Sequence, residues 1–254
     1  MESKSRLIPL GPDIWIVDGS TIRFYGMPFT TRMTVIRLKN GDLFLHSPIE
    51  YNAELAAELS ALGRIRHLVS PNWIHYAYIP QWAVALPDTI AWASPGVKDR
   101  AAKYKVDVTF DRDLRDDTAD DWKGEIDQMI VWGSRIHNEV VFFHRASETL
   151  ILTDLIENMH IDKVPFWLRM IARIAGVIAP NGKMPLDMWF SFRGNKDKLR
   201  AAFTQMLNWK PKLVVLAHGD ILRENVPKRL REGFRNLEPL PEVIQPKSKR
   251  EKNQ

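Results

Sequence analysis

The sequence contains no cysteine among its 254 residues. Disulfide bonds, thiolate catalysis and cysteine-ligated zinc or iron–sulfur sites are therefore excluded. Any protein-bound metal ion has to be held by histidine, aspartate or glutamate. The sequence also lacks an apolar run long enough to span a bilayer, and its N-terminal stretch has no apolar segment with a cleavage site. We therefore expect no membrane span, no signal peptide and a cytoplasmic location.

Basic residues exceed acidic ones, with a net charge of +5, but little of that charge lies in the body of the chain. Residues 245–254 carry +3 and residues 1–6 carry +1, which leaves +1 for the body. A body of nearly neutral charge has no basic track for a phosphate backbone. We expect a single domain over residues 7–244, a disordered basic tail over residues 245–254 and no nucleic-acid partner.

Short apolar strands alternate with amphipathic helices through most of the chain, which is typical of layered α/β folds. The clearest signal is Asn40-Gly41 between two apolar runs, which predicts a hairpin of residues 34–38 and 42–46. The continuous apolar run near the C-terminus, residues 212–217, predicts a buried parallel strand.

Three other segments are interpreted from their composition. They are predicted as strands over residues 106–110 and 188–192 and as a helix over residues 164–175. The helix is apolar almost all round, so it has to be covered on more than one side. Burial in the core is the favoured interpretation, and the alternatives are a lid over a pocket and a homodimer contact.

Residues 139–158 contain two short apolar strands joined by a polar turn, and the second strand ends at Asp154. In layered α/β folds, functional residues collect at strand ends. Taken alone, however, an acid in this position is more often a turn former or a helix cap than a catalytic group.

Polar residues of the metal-ligand type also follow three other apolar strands. One strand ends at His46, the next is followed by Asn72 and His75, and the last is followed by His218. A single histidine at a strand end is more commonly a hydrogen-bonded structural group than a ligand. The recurrence of such residues at four strand ends favours a common site.

The order of these elements resembles the metallo-β-lactamase fold. The resemblance rests on the early Asn-Gly hairpin, on the hairpin that closes with Thr-Leu-Ile-Leu-Thr-Asp and on the strand that ends in Ala-His-Gly-Asp, and it covers residues 14–220. It implies an α/β fold built as a four-layer αββα sandwich of two mixed β-sheets. It also implies that Asp154 and His218 occupy two of the family's metal-ligand positions.

Other residues of the family's metal site are absent. The family's His-x-His-x-Asp-His motif falls on residues 71–76, where only His75 remains, and His137 is the approximate counterpart of a further histidine. The motifs Ser-Pro-Asn-x-x-His and Phe-His-Arg-Ala-Ser look like an uncharacterised branch of this fold that is known only as a domain of unknown function.

Two hypotheses follow. In the first, His75, Asp154 and His218 hold one Zn²⁺, Fe²⁺ or Mn²⁺, and Asp154 and His218 are catalytic residues of a hydrolase acting on a small molecule. The residues expected to orient a ligand or contact the substrate are His46, Asn72, Tyr76, Tyr78, His137, His144 and Asp220. In the second, the fold persists without its metal centre as a ligand-binding or assembly module, because Asn72 and its neighbours cannot supply imidazole ligands.

Overall fold

The computed structural model describes residues 6–24, 27–159, 161–164, 166–170, 173, 176–180 and 182–237. These residues form two β-sheets, in which neighbouring strands pair in the orders β1-β2-β3-β4-β5-β6-β7 and β11-β10-β9-β8. The first sheet contains β1 (Ile8–Gly11), β2 (Ile14–Phe24), β3 (Met27–Arg37), β4 (Asp42–His46), β5 (Arg64–Val69), β6 (Ile90–Ala93) and β7 (Arg112–Asp113). The second contains β8 (Ile126–Val131), β9 (Glu139–His144), β10 (Thr149–Leu152) and β11 (Leu213–Leu216).

Both sheets are mixed. In the first sheet, β1 to β4 pair antiparallel and β4 to β7 pair parallel. In the second, β8, β9 and β10 pair antiparallel, whereas β10 pairs with β11 in parallel. Parallel pairing matters for the site, because the carboxyl ends of parallel neighbours lie at the same edge of a sheet.

Helices cover the outer face of each sheet. They are α1 (Ala53–Ser60), α2 (Ile79–Ala85), α3 (Val97–Lys103), α4 (Leu186–Ser191), α5 (Lys196–Asn208) and α6 (Val226–Gly233). Apolar residues of α1, α2 and α3 pack against the first sheet, and those of α4, α5 and α6 pack against the second. A third apolar cluster lies between the sheets. The predicted four-layer αββα sandwich is confirmed.

Alternation along the strands builds these layers. In β3 and β4, Val35 and Leu45 belong to the cluster beneath the helices, whereas their neighbours Ile36 and Phe44 face the other sheet. The ring of Phe44 meets the edge of Phe142 from the second sheet at a centroid distance of 5.3 Å. Each fully buried side chain of this size contributes about 1.5–3 kcal/mol relative to an exposed one, so the interface between the sheets holds the strand ends in place.

Several predictions of local structure are confirmed. The Asn-Gly hairpin is present, with φ of 84° at Gly41 and the Asn40 side chain accepting a hydrogen bond from the backbone N–H of Asp42. The late apolar run forms β11, parallel to β10 as expected for a strand buried on both faces.

Two strand predictions are wrong. Residues 188–192 belong mostly to α4, which begins directly after Pro185 and buries Met188 and Ser191 at helical spacing. The segment Met-Trp-Phe-Ser-Phe is too short for its apolar pattern to separate a strand from a helix. Residues 106–110 are irregular, and the edge strand β7 follows them as the pair Arg112–Asp113.

The predicted helix over residues 164–175 is described only in part, with a 3-10 turn at Phe166–Leu168. The expected core burial is wrong for its large side chains, because Phe166, Trp167 and Met170 are 82%, 63% and 72% exposed. A homodimer contact through this segment stays a prediction. The predicted tail over residues 245–254 lies outside the described residues. In the described part of the chain, no helix is long and apolar enough to cross a membrane.

Candidate metal centre

Three strand ends and one loop deliver polar side chains to the same edge of the sandwich. Asp154 lies two residues after β10 and His218 two residues after the parallel strand β11. From the first sheet, Ser47 follows β4 directly, and His75 lies in the turn that follows β5. The fold therefore brings together side chains that are far apart in the sequence.

Asp154 is the centre of this cluster. Its Oδ1 atom lies 3.2 Å from Nε2 of His75 and 3.3 Å from Nε2 of His218. Its Oδ2 atom lies 3.5 Å from Nε2 of His137. One donor atom from each of His75, Asp154 and His218 lies within 4.8 Å of the other two, and these three residues could hold a metal ion.

The orientation of His218 is set by the backbone. Its Nδ1–H donates to the carbonyl oxygen of Thr30 at 2.6 Å, and its ring meets the edge of Phe29 at a centroid distance of 5.2 Å. A carbonyl only accepts hydrogen bonds, so the neutral ring carries its lone pair on Nε2, aimed at Asp154. This arrangement matches a metal-ligating histidine whose other nitrogen is fixed by a backbone carbonyl.

His75 is supported in a similar way by the turn after β4. Its Nδ1 atom lies 2.7 Å from the hydroxyl oxygen of Ser47. Ser47 has a φ of 53°, a conformation that is unusual for a residue other than glycine, asparagine or aspartate. Strained backbone of this kind is concentrated at functional sites, where the surrounding structure maintains it.

Asn72 occupies the other side of Asp154 and is fully buried. Its Oδ1 atom accepts from the backbone N–H groups of Ile74 and His75 at 2.9 and 3.1 Å, which fixes the orientation of the amide. The amide nitrogen therefore points at Asp154 and donates to its Oδ2 at 2.7 Å and to Thr153 Oγ1 at 3.1 Å. Asn72 thus orders the turn that carries His75 and satisfies one carboxylate oxygen.

Glu139 fixes the backbone on which Asp154 is mounted, and sequence reasoning missed it. Its buried carboxylate accepts the backbone N–H groups of Thr153, Asp154 and Leu155 at 2.7, 2.8 and 3.1 Å. Burial and the charge of Asp154 raise the pKa of Glu139 to about 7, against these hydrogen bonds. The available signal was an acid at the start of an otherwise apolar strand, where burial requires hydrogen-bonding partners.

Charge in the cluster is shared between Asp154 and the histidines. Burial favours the neutral carboxyl of Asp154, but the charge of His75 and hydrogen bonds with the histidines outweigh it and hold the pKa well below its usual range. For His218, burial opposes protonation, but the hydrogen bond and charge of Asp154 outweigh burial and raise the pKa. Without a metal ion, the arrangement therefore favours a carboxylate beside a protonated histidine.

A cavity of about 580 Å³ opens above the cluster. Asp154, His75, His137 and His218 lie along its floor and walls together with Tyr78, which was predicted to contact the substrate. This volume lies in the range of small-molecule binding sites, about 300–1000 Å³. The cluster is therefore accessible to a ligand from one side.

Besides Asn72, which contacts Asp154 directly, four of the predicted residues do not line this cavity. His46 is buried behind the cluster against Phe142, where burial, with a smaller contribution from the charge of His75, lowers its pKa to about 3. Tyr76 is buried and packs beside Phe110, so it does not reach the cluster as an oxyanion donor. Beyond His218, Asp220 bonds through its backbone to Asn158.

His144 was expected to orient a ligand, and the structure corrects this. It lies at the far end of β9 from Glu139, about 17 Å along the strand at the usual rise per residue. Its Nδ1 atom lies 2.8 Å from the hydroxyl oxygen of Ser147 in the hairpin turn, and burial lowers its pKa to about 4. His144 is a structural residue of the hairpin.

Solved structures share this architecture over most of the chain. The DIM-1 metallo-β-lactamase exposed to ceftazidime is 14% identical with a TM-score of 0.62, and the alignment covers 91% of this chain and 96% of that one. A metallo-β-lactamase from Pontibacter korlensis is 14% identical with a TM-score of 0.57, covering 91% and 98%. The rubredoxin oxygen:oxidoreductase from Desulfovibrio gigas is 13% identical with a TM-score of 0.64, covering 93% and 62%. At such low identity the similarity defines the fold alone, and the fold is that of the metallo-β-lactamases.

Residues 12–172 match the family described as Domain of unknown function (DUF4336). The match covers more than half of the chain, so the protein belongs to this family. The predicted resemblance to a branch of unknown function within the metallo-β-lactamase fold is confirmed. No curated protein shows significant sequence similarity to the chain.

Proposed function

We propose that the protein is a metal-dependent hydrolase in which His75, Asp154 and His218 hold one divalent metal ion. The observation that carries this proposal is the convergence of two imidazole nitrogens on one carboxylate oxygen at the floor of a cavity. The substrate is a small molecule that enters the cavity. The names of two similar structures, both metallo-β-lactamases, support hydrolysis, although a third is named as an oxidoreductase and the fold alone does not decide the reaction.

The spacing of the donor atoms fits a first-row divalent ion. Metal–nitrogen distances of about 2.0–2.1 Å place two neighbouring tetrahedral ligands about 3.3 Å apart. Asp154 Oδ1 lies 3.2 and 3.3 Å from the two histidine nitrogens. The set of two nitrogens and one oxygen without sulfur suits Zn²⁺, Fe²⁺ or Mn²⁺.

A single ion is favoured over two. The second oxygen of Asp154 accepts a hydrogen bond from the amide nitrogen of Asn72, and this nitrogen is a donor with no lone pair available to a metal. A second group of possible ligands contains Glu139, but its two oxygens already accept three backbone N–H groups. The geometry therefore supports the reduced, mononuclear site expected from the sequence.

A bound divalent ion would supply Lewis acidity and lower the pKa of a coordinated water toward neutrality. The protein's own residues supply position and environment. Glu139 holds the backbone of Asp154, Asn72 holds its side chain, and the carbonyl of Thr30 holds His218 in one tautomer. Tyr78 lines the cavity, and we assign to its hydroxyl the role of oxyanion donor that the buried Tyr76 cannot fill.

The alternative is a non-catalytic ligand-binding module that has lost the metal. One observation favours it: a protonated His218 beside ionised Asp154 satisfies both groups without any ion. In that case the cluster is a structural ion pair under a ligand-binding cavity. The two functions make different predictions for metal content.

Elemental analysis of the purified full-length protein separates them. We expect about one divalent ion per chain after supplementation during expression or reconstitution. The variants His75→Ala and His218→Ala are expected to lose it, whereas His144→Ala, the matched control, removes a buried histidine outside the cluster and retains it. Added metal is also expected to raise the melting temperature, because an ion at 100 times its Kd stabilises the folded state by about 2.7 kcal/mol.

Two results would count against the metal site. One is the absence of stoichiometric metal from reconstituted protein together with a melting temperature that responds to neither metal nor chelator. The other is unchanged metal content after Asp154 and His218 are replaced together. Either result would leave the ligand-binding module as the better description.

A further inference from the structure

The walls of the cavity are mainly apolar. Phe29, Trp73, Ile74, Ile136, Val177 and Leu186 contribute to them. Burial of apolar ligand surface against such walls is favourable, so an apolar body fits this space better than a sugar or another heavily hydroxylated molecule. The polar groups that remain in the walls therefore decide which functional group the ligand carries.

Apart from the cluster itself, the charged residues in the walls are Arg100, Glu157 and Asp187. Arg100 already has two aromatic partners, because its guanidinium lies 4.9 Å from the ring centroid of Trp73 and 4.8 Å from that of Tyr104. Such stacking holds the cation at the aromatic rings rather than in the open cavity. Arg100 is therefore engaged by aromatic rings, and no other lysine or arginine among the described residues lines the cavity.

Glu157 is different, because it lies partly buried in the wall beside other acids. In the described part of the chain, no side chain donates a hydrogen bond to its carboxylate and no lysine or arginine pairs with it. Burial raises the pKa of Glu157 to about 7; the charge of His218 opposes this rise, and the nearby acids Asp154 and Asp187 add to it. Asp187 is exposed, and among the described residues its side chain accepts only the backbone N–H of Met188, at 2.8 Å. Two carboxyl groups without a lysine or arginine partner among the described residues therefore face the same space.

We propose that the cavity takes amphipathic cations, molecules with an apolar body and an amine or ammonium group that faces Glu157 and Asp187. The apolar body lies against the aromatic and aliphatic walls. The cation supplies a positive charge that pairs with the two acids. This substrate class rests on the proposed function only in that the same cavity leads to the metal site. The inference disfavours phosphoesters and carboxylates as substrates, because their negative charge would lie near Glu157 and Asp187.

The direct test is calorimetric titration of the full chain, treated with chelator, with three probes of equal chain length: octylammonium, 1-octanol and octanoate. We expect octylammonium to bind at least tenfold more tightly than octanoate. In Glu157→Gln, the affinity for octylammonium is expected to fall at least fivefold, whereas that for octanol stays within twofold. Glu54→Gln, which removes an exposed acid on α1, is the matched control and leaves all three affinities unchanged.

Equal or tighter binding of octanoate would overturn the proposal, and so would a loss of affinity in Glu157→Gln that is the same for all three probes. If Glu157→Gln does not fold, Glu157→Asp keeps the charge and is expected to keep the preference for octylammonium. Loss of the preference in a folded Glu157→Asp protein would contradict the inference.

Metal uptake, measured in parallel, distinguishes this failure from failure of the proposed function. A protein that binds one ion but does not prefer the ammonium probe overturns only the substrate class. A protein that prefers the ammonium probe but takes up no ion overturns only the hydrolase.

Discussion

Replacing Asn72 with aspartate changes one donor atom into an acceptor at the most constrained contact of the cluster. In Asn72→Asp, one carboxylate oxygen still accepts from the backbone of Ile74 and His75. The other takes the place of an amide nitrogen that lies 2.7 Å from Asp154 Oδ2. Two carboxylates would then lie side by side in a buried site. A single nitrogen-to-oxygen change therefore tests how negative charge in the cluster is balanced.

The size of the effect follows from two limits. Two unit charges 2.7 Å apart repel by about 6 kcal/mol at an effective dielectric constant of about 20. Alternatively, the pair retains one proton, and holding a carboxyl of ordinary pKa near 4 protonated at pH 7.5 costs about 5 kcal/mol. The smaller cost applies, so we expect Asn72→Asp to lower the free energy of unfolding by about 5 kcal/mol at pH 7.5.

The loss has a defined pH dependence. Because the pair shares a proton in the folded state, the pKa of one carboxyl is raised there, and the folded state binds more protons than the unfolded one above pH 4. Stability is therefore regained as the pH falls, by about 1.4 kcal/mol per unit, and we expect only about 1–2 kcal/mol of destabilisation at pH 5. Urea unfolding at the two pH values, with chelator present, measures both numbers.

The matched control is Asn52→Asp, which makes the same chemical change at the cap of α1. There the side-chain oxygen accepts from the backbone of Leu55, and a carboxylate is well accepted at a helix N-terminus. We expect a change within about 0.5 kcal/mol. A loss below about 1 kcal/mol in Asn72→Asp at pH 7.5, or a loss that does not vary with pH, would refute the assigned contact between residues 72 and 154.

Three further predictions concern the supports of the cluster and the hairpin. Burial lowers the pKa of His144, so His144→Gln is expected to gain stability relative to the parent as the pH falls from 6.5 to 4, by up to about 1.4 kcal/mol per unit. Chemical denaturation across this range measures the difference in stability, and a difference that stays constant with pH contradicts the prediction. Glu139→Gln leaves buried backbone N–H groups facing an amide donor, and we expect a loss of about 2 kcal/mol or more in urea unfolding, against a few tenths for Glu54→Gln. Arg32 donates to the carbonyls of Leu216 and Gly219 beside His218. We therefore expect Arg32→Lys to weaken metal binding about 10–100-fold, measured by titration. Unchanged affinity would show that the loop holds His218 without Arg32.

The layers of the fold were predictable because they follow from local signals. Asn40-Gly41 fixes a hairpin through backbone conformations that these two residues tolerate, and alternation in β3 and β4 assigns each side chain to a face. The errors lie where these signals are short or mixed. A six-residue helix at 186–191 offers too few turns for its periodicity to differ from that of a strand.

Strand ends and the family resemblance were the two signals that pointed to the cluster. Asp154 and His218 follow neighbouring parallel strands, so the topology places them side by side once the sheet order is known. His144 and Tyr76 are also polar residues near strand ends, but one lies at the wrong end of its strand and the other turns into the core. Sequence position does not reveal which end of a sheet faces the cavity, and that requires the assembled sheets.

Glu139 and Glu157 show a second limit. Both are acids adjacent to apolar segments, and the sequence treats them alike. In the structure, Glu139 meets three backbone donors and becomes part of the scaffold, whereas Glu157 meets no described donor and faces the cavity. The difference arises from backbone atoms of residues 153–155, which no pattern of side chains encodes.

In the proposed metal site, the number of ions depends on how Asn72 is held in the turn that carries His75. The Asn72 side chain needs its oxygen for the backbone of residues 74 and 75, so the turn that carries His75 dictates which end of the amide faces Asp154. That end is a hydrogen-bond donor. It bonds to Asp154 Oδ2, the oxygen that a second ion would need. A histidine at this position would provide a lone pair but would lose the short side-chain oxygen that orders the turn. In the proposed metal site, the same asparagine therefore orders the turn that carries His75 and favours one ion over two.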